Sequence, residues 1–282
     1  MGPNSLGEAT ALAIASGGPG LLILTARDPA KAQAVANKLK AQSPQVSVRV
    51  VVQDLASFAS VRKAAAEVNA MPENIDLLIN NAGVMSVPER TLSVDGYEMH
   101  FAVNHVGHFL FTNLILGKLL AAAKAPNAKP GATRVINLTG NWHNMSPVRF
   151  SDINFTTACV PDDEKPNVSM LSNMGVDCTN RAYIPEAAYG QSKSANILFC
   201  LYIKRKLAKQ GINAVALNPG GILTNIGRHY GEERVQQIIK SGILNKNPDQ
   251  GSATTLVAAF DPALNGQSRP LTKTKKQKNL AD

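Results

Sequence analysis

Tyr189-Gly190-Gln191-Ser192-Lys193 contains two side chains that can manage a proton together. On a helix, positions i and i+4 share one face, which makes Tyr189 and Lys193 neighbours. A free phenol, with a pKa of about 10, is a poor acid or base at neutral pH. A nearby ammonium favours the phenolate and makes a tyrosine a usable proton relay for an alcohol or a ketone. Alone, the spacing describes an ordinary helix surface equally well. Two Gly-containing segments, Asn80-Asn81-Ala82-Gly83 and Asn218-Pro219-Gly220-Gly221, give it company. Small residues there let a ligand approach the backbone.

These residues need a scaffold, and the hydrophobic pattern supplies one. Apolar strands are predicted over 21–25, 46–53, 76–80, 134–139 and 213–218. Helices are predicted over 29–42, with Asp28 as N-cap, and over 58–71, entered through Ser57. A mostly helical stretch follows over 96–123, and a long helix lies within 186–210. Strands alternating with helices, and apolar on both faces, imply an α/β fold with a doubly wound parallel sheet flanked by helices. Ligands of such sheets sit at the carboxyl ends of the strands. Asp54, Asn81 and Asn218 all fall at such ends, and Asp54 can accept a hydrogen bond from an adenine amino group. The stretch 141–185 breaks the rhythm as a long loop of the kind that covers a site or is mobile.

In this order and on these strand ends, the motifs LLINNAGVM, VNHVGHF, RVINLTGNWH, VRFSDINF, AYGQSKSAN and LNPGGILTNI resemble the short-chain dehydrogenase/reductase family. The likeness spans residues 1–266 and is greatest to the branch of retinol-dehydrogenase-like and fungal oxidoreductases. It implies a single Rossmann-like domain, a nicotinamide cofactor, and hydride transfer between that cofactor and a carbonyl or alcohol carbon. Tyr189 would be the acid/base. Lys193 would lower its pKa and hold the nicotinamide ribose, and Asn104 would support Lys193 through water. Ser5, Leu6, Asp54, Leu55, Asn81, Ala82 and Gly83 would line the cofactor site. Pro219, Gly220, Ile222 and Thr224 would face the nicotinamide. Arg27 ends the strand where the adenosine ribose arrives, and a cation there suits a 2′-phosphate, which favours NADP over NAD. A small apolar substrate and a homo-oligomer are what such a resemblance further implies.

Three departures from the family pattern stand out. Gly140 occupies the position of the catalytic serine, so one hydrogen bond to the substrate oxygen is missing. Gly7 matches the last glycine of the cofactor turn and Ser5 replaces the middle one, while the strand before that turn is absent. The final strand is replaced by a basic tail over 267–282, expected to be disordered. The ends read as those of a truncated chain. A second reading is therefore a catalytically impaired homologue that binds NADP without turnover, or a non-functional truncated chain.

Composition excludes other classes. Of 282 residues, 44% are hydrophobic and 17% charged, which is globular rather than disordered. Lys and Arg outnumber Asp and Glu 29 to 20, giving +9, yet no basic helix, zinc finger or RNA-binding aromatic signature appears, so no nucleic-acid partner is expected. No apolar run reaches the roughly 20 residues of a membrane span, and no signal peptide opens the chain. Cys159, Cys178 and Cys200 provide neither a disulfide framework nor a CxxC, consistent with a reducing, cytoplasmic location. His100, His105 and His108 have no carboxylate or cysteine at matching spacing, so packing and surface roles are expected rather than metal binding.

Overall fold

The computed structural model describes residues 2–222, 224–230, 235–236, 239–240, 242 and 244–265. Elements follow the order α1 (Leu6–Ser16), β1 (Leu21–Ala26), α2 (Pro29–Gln42), β2 (Ser47–Val52), α3 (Phe58–Ala70) and β3 (Leu77–Asn80). Next come α4 (Met99–Phe101), α5 (Gly107–Leu114), α6 (Leu116–Ala123), β4 (Thr133–Leu138), α7 (Val168–Asn173), α8 (Pro185–Leu207), β5 (Ile212–Leu217) and α9 (Pro248–Phe260). The tail expected over 267–282 lies outside the described residues.

The pairings of the five strands are parallel. β1 pairs with β2 from Leu21↔Ser47 to Ala26↔Val52. β4 is central to the other group, pairing with β3 from Leu77↔Arg134 to Asn80↔Asn137 and with β5 from Thr133↔Ile212 to Leu138↔Leu217. Every residue of β4 and β5 is buried, as expected of parallel strands covered on both faces. Asp28 caps α2 by accepting from the amides of Ala30 and Lys31, and Ser57 caps α3 by accepting from Ser60.

The expected gap at the first strand takes a definite form. Among the described residues no strand joins β1 to β3, so the sheet is divided into a pair and a triplet. Leu21–Ala26 and Leu77–Asn80 instead face a common cavity of about 2750 Å³, and their facing backbone edges have no ladder partner on that side. The halves still share a core: Ile23 of β1 and Leu78 of β3 pack on the cluster of Val51, Leu55, Val61 and Phe111.

The stretch 96–123 is mostly helical as expected, broken where the five residues Ala102–Val106 form a π-turn between α4 and α5 and bent again at Ile115. One expectation is corrected. The segment 141–185 is neither a bare cover nor open loop: Met145, Phe155, Leu171 and Ile184 form a buried cluster with Ala187 and Ala188 of α8. α1 and α9 were not anticipated. Leu6–Ser16 is almost uniformly apolar, so it lacks the polar face that marks a surface helix.

Candidate active site

α8 presents Tyr189 and Lys193 inward on one face, with relative exposures of 6% and 4%. The Lys193 ammonium lies 5.2 Å from the Tyr189 ring centroid and donates to the carbonyl of Leu138 at 3.2 Å. Asn196 donates to the same carbonyl at 3.1 Å, and Thr139 Oγ1 donates to the carbonyl of Lys193 at 2.9 Å. The end of β4 is thereby fastened to α8. Trp142 and His100 meet the Tyr189 ring edge-on, with centroids 5.8 and 6.0 Å away.

The π-turn positions Asn104. Gly107 N donates to Ala102 O, one residue further back than in an α-helix, and Asn104 is fully buried at the bulge. Its Oδ1 accepts from the amide of Val84 at 2.8 Å, while Nδ2 donates to Val84 O and Ser192 Oγ, each at 2.9 Å. Asn104 therefore locks the segment after β3 to α8 from behind the cavity wall. Gly83 makes room for this lock, because a Cβ there would come within 2.9 Å of Asn104 Oδ1.

The other sequence-selected residues converge on the cavity. Ser5, Leu6, Arg27, Asp54, Leu55, Asn81, Ala82, Gly83, Pro219, Gly220, Ile222 and Thr224 all line it, with Tyr189, Lys193 and Gly140. They belong to the carboxyl ends of β1, β2, β3, β4 and β5 and to the start of α1. Ser5 is the N-cap of α1, its Oγ accepting from Glu8 N at 3.2 Å. Asp54 accepts from Ala56 N at 3.0 Å, and Arg27 is exposed at the rim.

Gly140 is in extended backbone, φ −178° and ψ 171°. A Cβ added there would meet nothing nearer than Trp142 Cδ1 at 3.7 Å. Asn141 Oδ1 accepts from Asn218 Nδ2 at 2.9 Å, which ties the strand ends of β4 and β5 together.

Burial, not Lys193, dominates the electrostatics of Tyr189, and here the expectation is corrected. Desolvation pushes its phenol above the ordinary value, with the charge of Tyr230 adding to the rise. The same desolvation lowers Lys193 to about 8.

The histidines divide by surroundings. His100 is fully buried, its Nδ1 2.7 Å from Glu98 Oε1 and its Nε2 accepting from Val87 N at 3.1 Å. Its contact with Tyr189 left no mark in the sequence. His105 packs on Phe101, Phe109 and Phe199. His108 Nε2 lies 2.9 Å from Ala82 O, and burial lowers its pKa to about 4. Among the described residues no group of three or more His, Cys, Asp or Glu could hold a metal.

His108 has a consequence for stability. In the unfolded chain it titrates near 6.5, so between about pH 6.5 and 4 the unfolded state binds more protons. Stability should fall as pH drops through that window, by about 3 kcal/mol from this one group. His108→Gln keeps a donor for Ala82 O and should flatten the fall. Urea melts at pH 7 and 4 check this; an equally steep acid loss in the variant would exclude His108 as its source.

A profile of the family described as short chain dehydrogenase matches residues 2–141. An oxidoreductase of Fusarium equiseti, fscI, is 40% identical over 220 residues, covering 77% of this chain and 83% of that protein. The chain belongs to the short-chain dehydrogenase family. Human retinol dehydrogenase 13 is 38% identical over 228 residues, which are 81% of this chain and 59% of that longer protein. Solved structures share the fold. A Pseudomonas aeruginosa RhlG/NADP active-site complex superposes with a TM-score of 0.64 at 20% identity, covering 93% of this chain and 88% of the other. No single helix among the described residues of this dehydrogenase is long and apolar enough to cross a membrane.

Proposed function

We propose that this dehydrogenase is NADP-dependent and interconverts a ketone or aldehyde with the alcohol, on a small apolar substrate. The observation carrying the proposal is one cavity in which Tyr189, Lys193, Arg27 and the turns at Asn81–Gly83 and Pro219–Ile222 meet. The residues fit a dinucleotide. Gly83 lets the turn after β3 close on Asn104 with only backbone facing the cavity, and Gly220 has φ +92°, where a side chain would be strained. Arg27 at the β1 end suits a 2′-phosphate, while Asp54 and Leu55 suit the adenine.

NADPH, when bound, supplies the hydride. Tyr189 donates the proton to the carbonyl oxygen, and Lys193, charged below a pH of about 8, stabilises the phenolate left behind. Burial keeps the Tyr189 phenol in its protonated form, so the proton is available at the hydroxyl when a carbonyl is bound. Trp142 supplies an apolar wall beside the tyrosine.

Arg27→Ala should weaken NADPH by roughly tenfold or more, since a charge-assisted contact to phosphate is lost, and leave NADH nearly unchanged. Equal losses for both in calorimetric titration would remove the phosphate role. NADPH oxidation with a panel of ketones and aldehydes, run beside thermal shift with NADPH, tests the whole proposal. Turnover supports it. A thermal shift without turnover supports a binder disabled by Gly140, and neither response supports a non-functional chain and overturns the proposal.

A further inference from the structure

Lys246 is absent from the sequence motifs, yet it is fastened to the Pro219–Ile222 turn. Its amide donates to Gly221 O at 3.1 Å, and it forms a parallel bridge with Ile222. Its side chain then crosses Gly220, where an added Cβ would lie 3.0 Å from both Cδ and Nζ. The half-buried stem brings the ammonium into the cavity. There it has one long contact, to Pro219 O at 3.5 Å, and no carboxylate pairs with it among the described residues.

The neighbouring element completes the geometry. α9 seats Ile222 beside the first residue of α1: a Cβ on Gly251 would meet Ile222 Cδ1 at 2.0 Å and Leu6 Cδ1 at 3.2 Å. The start of α1 offers backbone amides and the positive end of the helix dipole to the same cavity. An anion between the α1 start and the β5 turn lies within the field of both. Of the other cations that line the cavity, Arg27 follows the end of β1, Lys31 is engaged with Asp28 at 3.7 Å and Lys193 donates to Leu138 O, whereas Lys246 is fastened to the β5 turn itself.

We propose that Lys246 binds the pyrophosphate of the dinucleotide, closing over the Pro219–Gly221 turn as a side-chain clamp. This rests on the reading of the cavity as a dinucleotide site. The pyrophosphate is common to NADPH and NADH, whereas the 2′-phosphate belongs to NADPH alone, so the assignment separates from that of Arg27.

The test is calorimetric titration of the full chain and of Lys246→Met, which keeps length and removes charge. NADPH and NADH should both weaken by the same factor, roughly ten- to a hundredfold, while adenosine 2′-monophosphate binds as before. Lys246→Arg should recover most of the affinity. Unchanged dinucleotide affinity in Lys246→Met, while Arg27→Ala still loses NADPH, overturns the clamp and leaves the cofactor reading standing. Equal losses for adenosine 2′-monophosphate show that Lys246 supports the fold of the pocket, and also overturn it. Failure of the parent chain to bind either dinucleotide removes the cofactor reading and the clamp together.

Discussion

Gly140→Ser is expected to raise kcat for carbonyl reduction by on the order of 10²–10³ with NADPH affinity almost unchanged. Space and backbone both allow it, because the nearest atom to an added Cβ is 3.7 Å away and the residue is extended. The adjacent hydroxyl does not serve instead, since Thr139 Oγ1 already donates to Lys193 O at 2.9 Å. A donor to the substrate oxygen gains strength as negative charge develops there, so its effect falls on kcat rather than on ground-state binding. The gain should vanish in a Tyr189→Phe background, because both groups act on one oxygen. Steady-state kinetics decide it. Equal kcat in parent and Gly140→Ser would mean another donor already occupies that role.

Tyr189→Phe should reduce turnover by on the order of 10²–10⁴, the usual range for a positioned acid, and leave cofactor affinity intact. The ring would keep its edge contacts with Trp142 and His100, so the cavity wall survives. Lys193→Met differs: it removes both the charge beside the phenol and the donor to Leu138 O, and should lower rate and affinity together. Undiminished turnover in Tyr189→Phe would return the pentapeptide to an ordinary helix surface.

Much of this site was legible because its signals are local. The i, i+4 spacing of Tyr189 and Lys193 survives into α8, and small residues after β3 and β5 mark strand ends wherever they occur. Strand identity was equally plain, since β4 and β5 are buried at all positions and are dominated by Val, Ile, Leu and Ala. What escaped depends on contacts between distant segments. Lys246 is held at the cavity by its pairing with Gly221, and His100 meets Tyr189 while held by Glu98 and by Val87, thirteen residues away. The sign of the Tyr189 shift was missed for a related reason. Spacing reports the neighbouring cation, but desolvation is set by everything packed around the ring. The division of the sheet was anticipated from the family strand order, while the cavity between β1 and β3 emerged only in three dimensions.

Transfer of label from NADPH deuterated at the nicotinamide C4 tests the central claim most directly. The chain is incubated with labelled NADPH and a panel of apolar ketones and aldehydes, and the alcohols are read by mass spectrometry. The account predicts an alcohol with one deuterium on the carbinol carbon, formed by the parent chain and almost absent with Tyr189→Phe. Alcohol without label, or no alcohol from any carbonyl although NADPH binds, would contradict it.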